Sequence, residues 1–101
     1  VHRLAHPAAA QVFGTVRVSA RDSQNLALPG ADVVIKAEAS VWKKTMTTDS
    51  QGEAVFVAVP IGHYSVTVSI MGFAPASRDI QVTGNSVVPV PLVLSVAGVT
   101  E

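Results

Sequence analysis

The stretch Gly62-His63-Tyr64-Ser65-Val66-Thr67-Val68-Ser69-Ile70 alternates apolar and polar residues without a break. Side chains of a β-strand point to opposite faces at every step, so this pattern describes a strand with one buried face and one wet face. Tyr64, Val66, Val68 and Ile70 are the inward set, and Ser65, Thr67 and Ser69 face solvent. The same reading extends in both directions along the chain, and no segment with helical periodicity competes with it.

Upstream, Pro60-Ile61-Gly62 forms a turn, and a strand over residues 53–59 has apolar residues on both faces. That double-sided pattern predicts a strand at the centre of a sandwich, with Phe56 in the core. Thr48-Asp49-Ser50-Gln51-Gly52 is a tight turn, in which Asp bonds its own backbone and Gly supplies a positive φ, and it is expected to close a hairpin. Before it, residues 41–48 lack a strongly apolar face and carry Lys43 and Lys44, the mark of a sheet edge. A strand over 31–37 turns Ala31, Val33, Ile35 and Ala37 inward. The first strand, over 11–20, sets Val12, Gly14, Val16 and Val18 against Phe13, Thr15 and Arg17, and Asp22-Ser23-Gln24-Asn25 ends it.

Downstream, residues 77–83 form a strand with Ile80 and Val82 inward. Gly84-Asn85 then has the form of a hairpin turn. The last strand, over 87–96, alternates Val88, Val90, Leu92 and Leu94 with Pro89, Pro91 and Val93. Proline donates no amide, so this strand lies at an edge or turns those positions toward solvent. Seven short strands and no helix make the fold class all-β, a seven-stranded antiparallel Greek-key sandwich.

Composition narrows the function. The 101 residues form one domain, since a second core would have too few residues to close. Seven basic residues balance seven acidic ones, which removes the charge that nucleic acid or an anionic membrane would need. No apolar run approaches the roughly 20 residues of a membrane helix, so no membrane insertion of this segment is expected. With no cysteine there is neither a disulfide scaffold nor a thiolate metal site. Residues 1–11 are expected to be a flexible lead, and Pro7-Ala8-Ala9-Ala10-Gln11 has the small residues of a secretory signal's tail. Residues 12–96 make the sandwich, and 97–101 begin a linker.

Candidate chemistry is sparse. His2, His6 and His63 are the only imidazoles, and two of them sit in the lead, so no catalytic, cofactor or metal site is expected. Asp49 with Gly52 and Glu53 lacks the oxygen count and spacing of a calcium loop, and a turn-forming Asp accounts for it. Asp32 and Asp79 fall on solvent faces and Asp22 and Glu38 stand apart, so no carboxylate pair emerges for acid–base work. The residues to suspect in ligand or partner contact are Trp42 and Phe13, whose rings would stack on a sugar or an apolar patch, with Lys43 and Lys44 beside them. The competing reading folds the indole over the sandwich edge. An edge strand such as 41–48, or the proline-bearing last strand, is available for pairing with another copy or with the parent protein.

The ordered signals Gly14-Thr15-Val16, Leu28-Pro29-Gly30-Ala31, Thr48-Asp49-Ser50-Gln51-Gly52, Phe56, Pro60, Gly62, Tyr64-Ser65-Val66 and Gly72-Phe73 together resemble the carboxypeptidase regulatory-like domain. That resemblance implies a transthyretin-like sandwich over residues 12–94. The chain departs from the pattern in a longer first strand, in Asn25 where Gly is common, and in Ala54 where an aromatic is common, a volume that Val59 or Leu92 would fill. Leu94-Ser95-Val96-Ala97-Gly98-Val99-Thr100-Glu101 is similar to the segment that follows this domain in TonB-dependent outer-membrane receptors. The resemblance implies a non-catalytic structural or interaction module of an exported bacterial protein, located in the periplasm, at the outer membrane or outside the cell. Its partners would be the rest of its own polypeptide and an envelope protein. A carbohydrate-binding accessory domain is the alternative, since the superfamily includes starch-binding-like sandwiches.

Overall fold

The computed structural model describes residues 12–98. The expectations placed on 1–11 and on 99–101, including the signal-like tail and the two leading histidines, lie outside the described residues. The strands are β1 (Phe13–Asp22), β2 (Asp32–Ala37), β3 (Lys43–Thr47), β4 (Glu53–Pro60), β5 (Gly62–Ser69), β6 (Ala76–Val82) and β7 (Val87–Leu94). They form two sheets, one ordered β4-β1-β7 and the other β3-β2-β5-β6. The inner faces meet in one core. β1 contributes Val16, Val18 and Ala20, β2 contributes Val33 and Ile35, and β5 contributes Tyr64, Val66 and Val68. Phe56, Val59, Leu92 and Leu94 are buried with them, so both residues expected to fill the volume beside Ala54 are in the core.

Three expectations are corrected by the pairing. β4 is not central: it is the edge of the three-stranded sheet, and its second apolar face is carried by Val57, which is 60% exposed. The turns 48–52 and 84–85 do not close hairpins, because each carries the chain from one sheet to the other. β3 stays beside β2 while β4 pairs with β1, and β6 stays beside β5 while β7 pairs with β1. The β1–β7 ladder is moreover parallel, the one departure from antiparallel pairing among the named strands. A turn signal specifies that the chain reverses, and which edge the next strand joins is decided by burial at a distance.

Close backbone approach explains two glycines. A Cβ on Gly14 would stand 2.7 Å from the Gly84 carbonyl oxygen and from Val82 Cγ1, so the first strand can pass under the 84–86 turn only without a side chain. Gly52 has φ +76 and would put a Cβ 2.7 Å from the Ala20 carbonyl oxygen. Asn25 takes φ 67 at the end of the first turn, where its short amide side chain makes the left-handed region tolerable. Asp22 holds that turn by accepting from the amides of Gln24 and Leu26, both at 2.9 Å.

Thr48 is the buried polar residue of the described chain, at 5% exposure. Its hydroxyl donates to the Leu28 carbonyl at 2.7 Å and accepts from the Ala31 amide at 2.8 Å. Replacing it with Val keeps the shape and leaves both backbone groups buried without partners. Thr48→Val is expected to lower stability by about 2–4 kcal/mol and Thr48→Ser by much less, read from urea unfolding midpoints at unchanged slope.

Ala58, φ 56, sits in β4 at a register shift where two residues oppose one of β1. An L-residue in that region costs about 1–2 kcal/mol, whereas glycine adds about 0.4–1 kcal/mol of unfolded-chain entropy. The first outweighs the second, so Ala58→Gly is expected to raise the melting temperature by a few degrees in calorimetry.

Candidate functional site

At one pole of the sandwich the loop between β2 and β3 meets the turn between β4 and β5. Between them lies a cleft of about 270 Å³, walled by Ala37, Ser40, Trp42, Pro60, Ile61 and Tyr64. The register explains why an indole is there. Ile35 pairs with Lys44 and Lys36 with Lys43, and the Ala37 amide donates to the Trp42 carbonyl at 2.9 Å. Trp42 therefore stands opposite Ala37, on the inner side of its sheet, and is half-buried. Its ring meets Tyr64 edge to face, with centroids 5.3 Å apart and planes at 73°, one of the two geometries that aromatic quadrupoles favour. The Trp42 amide donates to Ser40 Oγ at 3.2 Å, which shapes the loop leading into the strand.

Tyr64 anchors the floor. Its hydroxyl donates to the Pro60 carbonyl at 2.6 Å, and burial pushes its pKa above the ordinary tyrosine value. The phenol thus stays protonated and remains a donor throughout the neutral range. The hydrogen bond spans the turn that separates β4 from β5, so one side chain fixes both the turn and the position against which the indole packs. The sequence places Tyr64 four residues after Pro60, just past the Pro60-Ile61-Gly62 turn and His63, although the spacing alone does not reveal the bond.

The four suspected contact residues are not gathered in one place. Phe13 pairs with Pro60 and so lies at the same pole as Trp42. Its neighbour Gly14 is buried, which places Phe13 on the outer face of the three-stranded sheet at 38% exposure, and it does not line the cleft. Lys43 and Lys44 are exposed and alternate, Lys43 opposite Lys36 on the outer face and Lys44 opposite Ile35 on the inner side. Lys36 was not singled out by sequence, because only the register sets it beside Lys43. His63 is exposed at the cleft rim, and its carbonyl accepts the Glu38 amide at 3.0 Å.

Two of the carboxylates, Asp22 and Asp49, are occupied with turns. Asp49 Oδ1 accepts from the amides of Gln51 at 2.9 Å and Glu53 at 3.0 Å. Those donors, Glu53 foremost, hold its carboxyl below the usual aspartate value. Asp32 and Asp79 are exposed on their strands. Among the described residues, no group of three or more His, Asp or Glu comes near enough together to hold a metal ion. What the pole offers is a shallow apolar cleft with one half-buried indole and backbone polar groups at its rim, an arrangement suited to contact and without a nucleophile–base pair.

Solved structures share this architecture. A Bacillus anthracis TIE protein superposes at TM-score 0.73 with 22% identity, over 84% of this chain and 17% of its own. The group B streptococcus pilus 2b backbone protein gives TM-score 0.72 and 16% identity, over 85% and 42%. Chlorocatechol 1,2-dioxygenase from Pseudomonas putida gives 0.73 and 13%, over 89% and 63%. The chain thus spans less than two thirds of each of these proteins, and at such identities the likeness is one of fold alone. No curated protein is similar enough in sequence to count as a relative. The family model of the carboxypeptidase regulatory-like domain matches residues 11–95, which takes in all seven strands, the connections between the sheets and the Tyr64 pole. The chain belongs to the carboxypeptidase regulatory-like domain family, a non-enzymatic β-sandwich module found in surface proteins.

Proposed function

We propose that this domain is a rigid accessory module of an exported bacterial protein, standing as a periplasmic extension ahead of a TonB-dependent outer-membrane receptor. The observation that carries the spacer reading is the parallel ladder between β1 and β7, in which Thr15 pairs with Val87 and Asp22 with Leu94. First and last strands that run side by side in the same direction bring the chain in at one pole and out at the other. Ten residues of β1 at about 3.3 Å each separate those poles by roughly 30 Å. A domain joined in line keeps its neighbours apart, whereas antiparallel terminal strands would return the chain to its starting pole. The receptor context is supported by the resemblance of residues 94–101 to the segment that follows this domain in such receptors.

Fractionation of the source bacterium, blotted with an antibody to this domain, is expected to show a receptor-sized band in the outer membrane. Protease should cut it only once the periplasm is opened. A band released into the medium would overturn the receptor context and leave the in-line spacer on a secreted protein.

The cleft beside Trp42 favours carbohydrate binding as a second reading, because a half-exposed indole in an apolar hollow can receive a sugar face. Trp42 is the sole tryptophan, so its emission reports on the cleft alone. Titration with oligosaccharides is expected to leave that emission unchanged under the spacer reading. A saturable shift, with binding seen by calorimetry and lost there in Trp42→Ala, would establish the sugar-binding one.

A further inference from the structure

We infer that the free edge of β3 is a docking site for an extended acidic polypeptide segment, which adds to the four-stranded sheet as a fifth strand. The two sheets have four edges, and the other three are obstructed. On β7, the Ser86 carbonyl accepts from Thr15, so alternate residues from Ser86 onward face β1. Val87, Pro89, Pro91 and Val93 are left on the open side, and two of these four have no amide to give. β4 is kinked by the bulge at Ala58, which bends a strand away from flat pairing. β6 leans toward β7, and the segment that leads into it is tied to the chain beyond β7, with Ala74 donating to Ser95 at 2.8 Å and Ala97 to Gly72 at 2.9 Å.

β3 has none of these obstacles. Ala37 bonds Trp42, and Thr48 bonds Ala31, so by alternation Lys44 and Met46 face β2 while Lys43, Thr45 and Thr47 direct their N–H and C=O groups outward. No loop or side chain among the described residues hydrogen-bonds those backbone groups. All five residues of the strand are exposed, and the strand holds neither glycine nor proline.

Charge selects the occupant. Lys43 and Lys36 sit side by side on the outer face, Lys44 follows in the strand on the inner side, and β3 itself carries no carboxylate. At the other end of the ladder Asp32 stands opposite Thr47. A second copy of β3 laid along this edge in parallel would set lysines against lysines, and an antiparallel copy would set Lys43 against Thr47, so neither supplies the lysines with a counter-charge. A segment with glutamate or aspartate at the Lys43 end and β-branched residues beyond would pair its charges and complete the ladder, with affinity supplied by the backbone and register by the lysines.

The test is NMR of the isotopically labelled 101-residue chain titrated with the capped octapeptide Glu-Val-Glu-Val-Thr-Ile-Thr-Val, and with its counterpart bearing Lys in place of Glu. The acidic peptide is expected to shift the amides of Lys43, Thr45 and Thr47 saturably and to slow their exchange with solvent. The lysine peptide should bind on the order of tenfold more weakly, and added salt should narrow the gap. The double variant Lys36→Glu, Lys43→Glu, both at exposed positions, should reverse the preference. Thr45→Pro, which removes an outward amide and no bond to β2, should abolish binding. Equal binding of the two peptides, absence of saturable shifts, or shifts confined to 60–64 at the cleft would each overturn the proposal. Concentration-dependent broadening of 43–47 without peptide would overturn it too, since the occupant would then be a second copy.

Discussion

No strand is shared between the two sheets, so something other than a ladder must set how they meet at the pole opposite the cleft, and that is the Thr48 junction. Besides its two hydroxyl bonds, Thr48 donates its amide to Ala31 at 2.9 Å and receives the Gly30 amide on its carbonyl at 3.0 Å. One residue thereby holds the segment 28–31 by four hydrogen bonds. From there the connection passes to the other sheet. Leu28 donates to Ala20 at 2.9 Å, and Ala20 to Gly52 at 2.8 Å, so β1, the start of β2 and the turn after β3 form a single bonded network. Buried polar groups are worth little net when paired and cost much when left alone. The junction therefore specifies one arrangement of the sheets more than it adds stability, while the apolar layer between them supplies the driving force.

Such a sandwich leaves four edges, each a place where another chain could add. The chain treats them differently, and the differences divide the molecule into closed and open sides. Proline removes donors from β7, a strained alanine bends β4, and β6 leans toward β7 with the tail tied down beside its start. Lysine at the fourth does something else: it leaves every donor and acceptor in place and changes only which sequences can approach. The outer face of the three-stranded sheet is apolar on its flanks, with Val57 and Val93 both about 60% exposed, but Arg17 and Arg21 in its central row interrupt any continuous greasy surface.

How much of this is legible in sequence follows from the range of each interaction. Alternation is local, and so Tyr64, Val66 and Val68, or Val90, Leu92 and Leu94, declare their inward faces at once. Turn chemistry is equally local: Asp22, Asn25, Asp49 and Gly52 all do what their residue types announce. Partner choice is not local. β4 reads as central because Val55 and Val57 are apolar, yet it lies at an edge, and Gly84-Asn85 reads as a hairpin although the strand after it crosses to the other sheet. At the cleft, Trp42 stood out by composition, while its contact with Tyr64 and the pairing of Lys43 with Lys36 depend on register, which a single sequence leaves open by one residue in either direction.

The parallel β1–β7 ladder ties the fold to the work proposed for it. Eight residue pairs, Thr15 with Val87 through Asp22 with Leu94, lie between the strand where the chain enters and the strand where it leaves. Tension applied at the two poles pulls these neighbours past one another, so the ladder is loaded in shear and its bonds must yield together. Had the last strand run the other way, both ends would leave from one pole and the same pull would open the bonds one at a time. Pro89 and Pro91 fit this arrangement, because their missing amides fall on the open side of β7 and take nothing from the ladder. The residues that close this edge to outsiders are thus compatible with the pairing that carries a pull through the domain, while the edge offered to a partner, β3, lies in the other sheet and outside that path.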